Sequence, residues 1–303
     1  ELRGAPALAL TDVELALRNR WTRHEFALRA TPPSTLAHPL DVRARFVHPR
    51  FARRISDVSL WKGELYADLR NTDLAAWKPY LDYPFALERG RGSVRAWLAL
   101  DHARLEGFTA DVALAGVSAQ LARQLAPLEL ARVSGRISAR EVFDRKAQPD
   151  GKPTFGARGH PVTLDRLAVQ LAGAAPLPPM SMSETFTPAS GSRPERTRVS
   201  AGMLDLGTLA HVASQLPLTA SQRQMLADFA PRGRLSDFSA QWDGRYPKVS
   251  SYRVKGKVDD LSLRAQPARA AAPALPGLDK LSGTVDATDK GGQLTLASRR
   301  LVL

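Results

Sequence analysis

The chain of 303 residues contains no cysteine, which excludes disulfide bonds, thiolate metal sites and a cysteine nucleophile. It also lacks any apolar run close to the roughly 18 residues that a membrane-spanning helix needs. The first residue is Glu1, and no signal peptide precedes the first strand pattern. We therefore expect a soluble piece of a longer protein, and the lack of cysteine fits an oxidising compartment.

Residues that usually carry chemistry are scattered. The six histidines form neither an i, i+4 pair nor an HExxH run that would hold a metal ion. The sequence has no GxSxG elbow and no phosphate-binding P-loop, and the run GRGS at 90–93 precedes a strand instead of opening a helix. We expect no enzymatic activity, no metal ion and no cofactor.

The formal net charge of +13 raises the question of an anionic partner. The basic residues are 34 arginines and 9 lysines, spread one at a time along the chain. Our main interpretation is genomic composition, with attraction to anionic lipid headgroups second and nucleic acid last. The five tryptophans are not interleaved with a compact basic patch, so we expect no nucleic-acid partner.

Strict alternation of apolar and polar residues is abundant, and it indicates strands with one buried face. Val13, Leu15 and Leu17 show it near the start of the chain, and 94–100 and 108–114 show it most clearly. Short turns between such runs favour antiparallel neighbours. We predict a mainly β fold with a few short helices, in which an elongated, curved antiparallel sheet forms an open hydrophobic groove.

Composition divides the chain into three parts. A first groove-forming β unit is predicted at 1–143, with a short helix near 73–81. The stretch 144–198 is predicted to hold a strand and a Pro-, Ser- and Gly-rich linker or insertion, with loops at 144–153 and 173–197. A second, related β unit is predicted at 199–303, with helices near 206–230.

The order of parts is similar on either side of the linker. DLAAWKPYL, GRGS and LARVSGRISA correspond to LGTLAHVASQL, RGRL and LDKLSGTVDA, at an offset of roughly 145 residues. A duplicated unit of one-sided strands favours an elongated stack over a globule.

The predicted sheet has more apolar surface than these helices can cover, so something else must cover it. Two alternatives remain at this point: an open groove that holds acyl chains, or a dry sandwich or barrel core. The residues expected to line a groove and bind lipid are Val13, Leu15, Leu17, Phe26, Leu28, Leu65, Leu69, Val94, Leu98, Leu100, Phe108, Val112, Leu114, Val254, Val258, Leu294 and Leu296.

Several segments, in order, resemble the YhdP family of the AsmA-like superfamily. The segments are NRWTRHEFALRATPPS, LWKGELYADLRNTDLAAWKPYL, GRGSVRAWLAL with FTADVALAGV, LELARVSGRISAR and LPGLDKLSGTVDATDKGGQLTLASRRLVL. The resemblance spans nearly the whole chain and fades over 144–200. It carries over no catalytic residue, because the family motifs are structural.

The resemblance implies an internal segment of a bacterial envelope protein that is periplasmic and anchored in the inner membrane by a helix outside this segment. Such proteins are thought to conduct phospholipids between the inner and outer membranes along a β-sheet groove, supporting the outer-membrane permeability barrier. The expected partners are phospholipid acyl chains and the inner membrane. A second hypothesis is a structural or assembly factor for outer-membrane proteins, whose sheet edges pair with client strands.

Overall fold

The computed structural model describes 14 strands, two α-helices and one 3-10 turn. The described residues are 5–50, 60–81, 85–102, 104–140, 159–173, 176–216, 218, 220–245, 248–268, 274 and 276–297. The strands are β1 Thr11–Arg20, β2 Arg23–Thr31, β3 Leu40–Val47, β4 Lys62–Asp73, β5 Ala86–Asp101, β6 Arg104–Gln120, β7 Leu128–Arg140, β8 His160–Leu171, β9 Met180–Thr187, β10 Arg196–Asp205, β11 Arg232–Arg245, β12 Lys248–Leu263, β13 Leu278–Thr288 and β14 Gly291–Leu296.

Each strand pairs with the next strand in the chain, from β1 to β14, in one open antiparallel sheet. This topology follows from short connections between alternating segments, which favour pairing of sequence neighbours. The prediction of a mainly β, antiparallel and open architecture is confirmed. Among the described strands the sheet does not close on itself, so the barrel form of the dry-core alternative does not apply.

Chain contacts divide the protein into two units. Unit 1 comprises Glu1–Arg123, Pro127–Asp150 and Leu164–Pro178, and it holds β1 to β7. Unit 2 comprises Gln124–Ala126, Gly151–Thr163 and Pro179–Leu303, and it holds β9 to β14.

The sequence predicts a loop over 173–197, and this prediction is wrong for its middle part. MSMSETFT forms β9 and pairs with β10 through contacts such as Met182 with Ala201. This segment contains neither proline nor glycine, and Met180 and Met182 both pack against a buried cluster of unit 2. The flanking prolines dominate the composition of the stretch and hide this short alternating run. The loop predicted at 144–153 lies outside the described residues.

The helices occur where the sequence predicts them, but the one predicted near 73–81 is shorter than expected. Residues 73–81 form a 3-10 turn, Ala75–Trp77, whose first backbone N–H groups donate to Asp73 Oδ1 at 3.1 and 3.3 Å. Helix α1, Leu206–Val212, is capped by Asp205, which accepts from the Thr208 backbone N–H at 2.8 Å. Helix α2 is Ala220–Phe229.

The two Ser-Gly pairs of the proposed repeat have the same structural role. Gly135 in β7 and Gly283 in β13 have φ angles of 139° and 155°, a backbone conformation that residues other than glycine rarely adopt. A Cβ at Gly135 would lie 2.7 Å from Leu167 Cα, and a Cβ at Gly283 would overlap the carbonyl of Thr295. Both glycines therefore allow a close approach of the next strand.

Candidate functional site

One face of unit 1 carries continuous apolar rows that run across seven strands. Residues in register on neighbouring strands share a face of the sheet. The first row is Leu17, Phe26, Ala44, Leu65, Leu98, Phe108 and Ala139, in the order β1 to β7. The second row is Leu15, Leu28, Val42, Ala67, Ala96, Ala110 and Ile137.

We call this surface the apolar face of unit 1. Val94 is in register with Leu69 and Val112, so a third short row lies beside the second. Alternation along the strands adds Val13, Leu100 and Leu114 to the same face. The structure thus brings all 13 sequence-predicted residues of unit 1 onto one surface. Val42 and Ile137 also belong to the rows. The alternation of apolar and polar residues around each of them predicts their place on this face.

The large side chains of the two long rows are not buried. Leu15 and Leu17 are 55% and 66% exposed, and Val13 is 51% exposed. Phe26, Leu65, Leu98, Phe108 and Ile137 are half-buried. Because a dry sandwich core would exclude water from these side chains, the sandwich alternative does not describe this face.

One end of the apolar face is closed by a small core. Ala30, Leu36, Ala37, Leu40 and Trp77 are buried there, and the partly buried Leu28, Val42 and Leu69 pack against them. The Trp77 Nε1–H donates to Thr72 Oγ1 at 2.9 Å, which fixes the indole ring over the strand ends. We call this the capped end, and the end at the β1–β2 and β5–β6 turns the open end.

The opposite face of unit 1 holds the charges, and many of them pair across strands. Glu25 lies between Arg18 and Arg45, 3.7 Å from each. Arg136 Nε lies 2.6 Å from Asp111 Oδ1, and this hydrogen bond holds the pKa of Asp111 below its usual range. Charge is therefore sorted to one face, while the apolar face has none in its rows.

Trp97 belongs to this charged face. As the strand residue next to Leu98, it lies on the opposite face of the sheet. Its ring centroid lies 5.4 Å from that of Tyr66, and the Arg136 guanidinium carbon lies 5.7 Å from the Trp97 ring centroid. A similar hydrogen bond from Arg43 lowers the pKa of Asp41. These contacts show that side chains of the charged face pair with one another, both across strands and, for Arg43 and Asp41, within β3.

Unit 2 has a related but more covered apolar face. Val254 lies in a row with Val199, Ala240 and Ala287. Leu294 and Leu296 are 50% and 51% exposed on β14.

Val258 differs from the other predicted lining residues of unit 2. It is only 7% exposed and packs with Leu206 of α1 and with Leu235, so it belongs to a core and not to an accessible surface. The sequence pattern missed Phe238 and Val285, which pack against the same cluster. The packing of Phe238 and Val285 against this cluster is visible only in the structure.

The described part of the chain carries neither a cluster of metal-ligating side chains nor a helix suited to a membrane. Among the residues placed by the structure, no group of three or more His, Asp or Glu side chains forms a metal site. Within the same ranges, no helix has the length and apolarity required to cross a membrane.

Comparison with known proteins gives one match. A family model described as YhdP protein matches residues 6–303, nearly the whole chain. The search of curated proteins and the search of solved structures gave no match.

Proposed function

We propose that this chain, which belongs to the YhdP family, binds phospholipid acyl chains on the apolar face of unit 1 and passes lipids across its strands. In this proposal the chain is an internal segment of a periplasmic protein that is anchored in the inner membrane outside this segment. It conducts phospholipids between the inner and outer membranes through a hydrophobic β-groove, and so supports the outer-membrane permeability barrier.

The observation that carries the proposal is an uncharged face whose large side chains keep solvent contact. Large exposed apolar patches on a soluble protein mark binding surfaces. An acyl chain placed on such a face leaves water at a gain of about 0.8 kcal/mol per buried CH2 group. The gain is similar at each strand, because the rows present similar aliphatic and aromatic groups throughout.

The direction of the rows suggests how lipids move. Seven strands spaced by about 4.8 Å give a row about 29 Å long. The rows contain no charge or hydrogen-bonding side chain that would hold a lipid at one strand. A lipid can therefore shift sideways from strand to strand with small changes in free energy.

The alternative function, an assembly factor for outer-membrane proteins, makes a different demand on the structure. Pairing with a client strand uses the backbone of a sheet edge. It does not require a face free of charge across seven strands. The apolar face therefore favours lipid binding.

A crosslinking experiment tests the proposal with two native aromatic positions as a matched pair. Benzoylphenylalanine replaces Phe108 on the apolar face or Trp97 on the charged face, and cells are irradiated before the protein is purified. We expect phospholipid adducts at position 108 and none at position 97. Equal adducts at both positions, or none at position 108, would contradict the proposal.

A further inference from the structure

The open end of unit 1 has an unbalanced row of charges. The last residues in register are Arg20, Arg23, Val47, Lys62, Asp101 and Arg104, from β1 to β6. Four of these six residues are cations and one is an anion. The next row inward on the charged face is different, because Arg18, Glu25 and Arg45 alternate in sign and form ion pairs there.

Arg20 and Arg23 stand directly opposite each other at the β1–β2 turn. Like charges in this arrangement destabilise a hairpin. Within the described ranges, neither of them nor Arg104 forms an ion pair, whereas Lys62 lies 3.9 Å from Asp101 and from Glu106. An anion from outside the chain would offset the repulsion between the two arginines.

Aromatic side chains mark the boundary between the apolar face and this basic row. Trp21, in the turn between Arg20 and Arg23, is 75% exposed, and the Arg50 guanidinium carbon lies 5.7 Å from its ring. The Trp61 ring stacks on His24 with centroids 4.4 Å apart. Tryptophan and arginine are suited to such a boundary, because each combines an apolar body with a polar group.

The dimensions of the face suit one lipid tail laid along a strand. Val94 and Leu100 bound the apolar part of β5, and six residues of strand span about 20 Å. One leaflet of a bilayer core is about 15 Å thick, so a tail of ordinary length fits this distance. The Trp77 core closes the far end, which leaves the open end for a polar headgroup.

We infer that Arg20 and Arg23 on β1 and β2, and Arg104 four strands further along the row, contact the phosphates of separate lipids whose tails lie on the apolar face and point toward the capped end. The inference rests on the proposed function and adds a fixed orientation and a class of headgroup. The three side chains start on the charged face. They are long and belong to the last residue pairs before their turns, so they reach past the strand ends.

Unit 2 shows the same arrangement of parts. Helix α1 packs at one end of its strands, and Arg245 stands opposite Lys248 at the β11–β12 turn. Arg245 is paired there with Glu195, 3.0 Å away. The arrangement of a packed core at one strand end and a basic turn at the other thus occurs in both units.

Lipid binding by the 303-residue chain tests the inference. The affinity for dipalmitoyl phosphatidylglycerol is compared with that for dipalmitoylglycerol, which has the same tails and no phosphate. The test variant is Arg20→Gln/Arg23→Gln/Arg104→Gln. The control variant, Lys78→Gln/Arg123→Gln/Arg132→Gln, removes the same charge from exposed residues toward the capped end. Soluble glycerol phosphate serves as a competitor without tails.

We expect the wild-type chain to prefer the phospholipid by about tenfold. The test variant should bind both lipids alike, and the control variant should keep the preference. Equal binding of both lipids by the wild type, a preference kept by the test variant, or displacement of lipid by glycerol phosphate at similar concentration would overturn the inference. Failure of the wild type to bind either lipid would instead overturn the proposed function, and the inference with it.

Discussion

A charged substitution on the apolar face distinguishes between two possibilities, an open lipid-binding surface and a dry core. Val112 lies on this face, in register with Val94 and Gly135. Ala113 follows it on the charged face, exposed and in register with Ser93 and Ser134. Val112→Glu and Ala113→Glu therefore add the same charge to adjacent residues of β6, on opposite sides of the sheet.

The expected free energies follow from the exposure of Val112. Full burial of a valine contributes about 1.5–3 kcal/mol, so a half-buried valine contributes about 1 kcal/mol. The new carboxylate stays hydrated in the lipid-free protein, and the free energy of unfolding should fall by about 1 kcal/mol. Under an acyl chain the same carboxylate loses its water at a cost of several kcal/mol. A cost of 2.7 kcal/mol corresponds to about a hundredfold weaker lipid binding.

Urea unfolding and a phospholipid titration measure the two effects separately. Ala113→Glu should leave both values near those of the wild type. Loss of more than about 4 kcal/mol of stability in Val112→Glu would show that the side chain is in a closed core. Normal stability together with normal lipid binding would show that lipids do not touch this face, and would refute the reasoning.

Three further predictions concern stability. Arg20→Gln should raise the free energy of unfolding by about 0.2–1 kcal/mol in low salt, because it ends the repulsion with Arg23; a loss of stability in urea titration would contradict this. The pKa of Asp111 is lowered by Arg136, so its contribution is present above the unfolded pKa of about 3.9 and is lost as pH falls through the folded pKa. Acid titration of Asp111→Asn should therefore show a smaller loss of stability than the wild type, and parallel curves would argue against the pair. Gly135→Ala should cost about 1–3 kcal/mol in urea unfolding, because its φ of 139° is strained for alanine; an unchanged midpoint would exclude that strain.

The apolar face could be predicted from the sequence because alternation is a local property. Leu98 and Leu100 share a face whatever their neighbours do, and short turns bring β5 and β6 together in register. Whether another segment of the chain packs over a residue does not depend on the local sequence. Val258 has the same pattern as Val254, yet helix α1 packs over the first and not the second.

The basic row at the open end shows the same limit. Arg20, Lys62 and Arg104 are separated by about 40 residues each time, and nothing in their local sequence relates them. They lie in one row because five antiparallel pairings bring the ends of six strands into register. Scattered arginines are consistent with genomic composition alone, whereas their alignment is visible only once the register is known.

The position of the buried cores explains how a sheet can fold while most of one face stays open. A sheet needs packing against an apolar face for stability, and a second layer over the whole face would leave no room for a ligand. Unit 1 places its core at the strand ends, where Thr72 is 1% exposed and hydrogen bonds to the Leu36 carbonyl at 2.9 Å. Unit 2 does the same with Leu206 of α1. Concentrating the packing at one end of the strands supplies stability, and it leaves the remaining apolar rows accessible to a lipid.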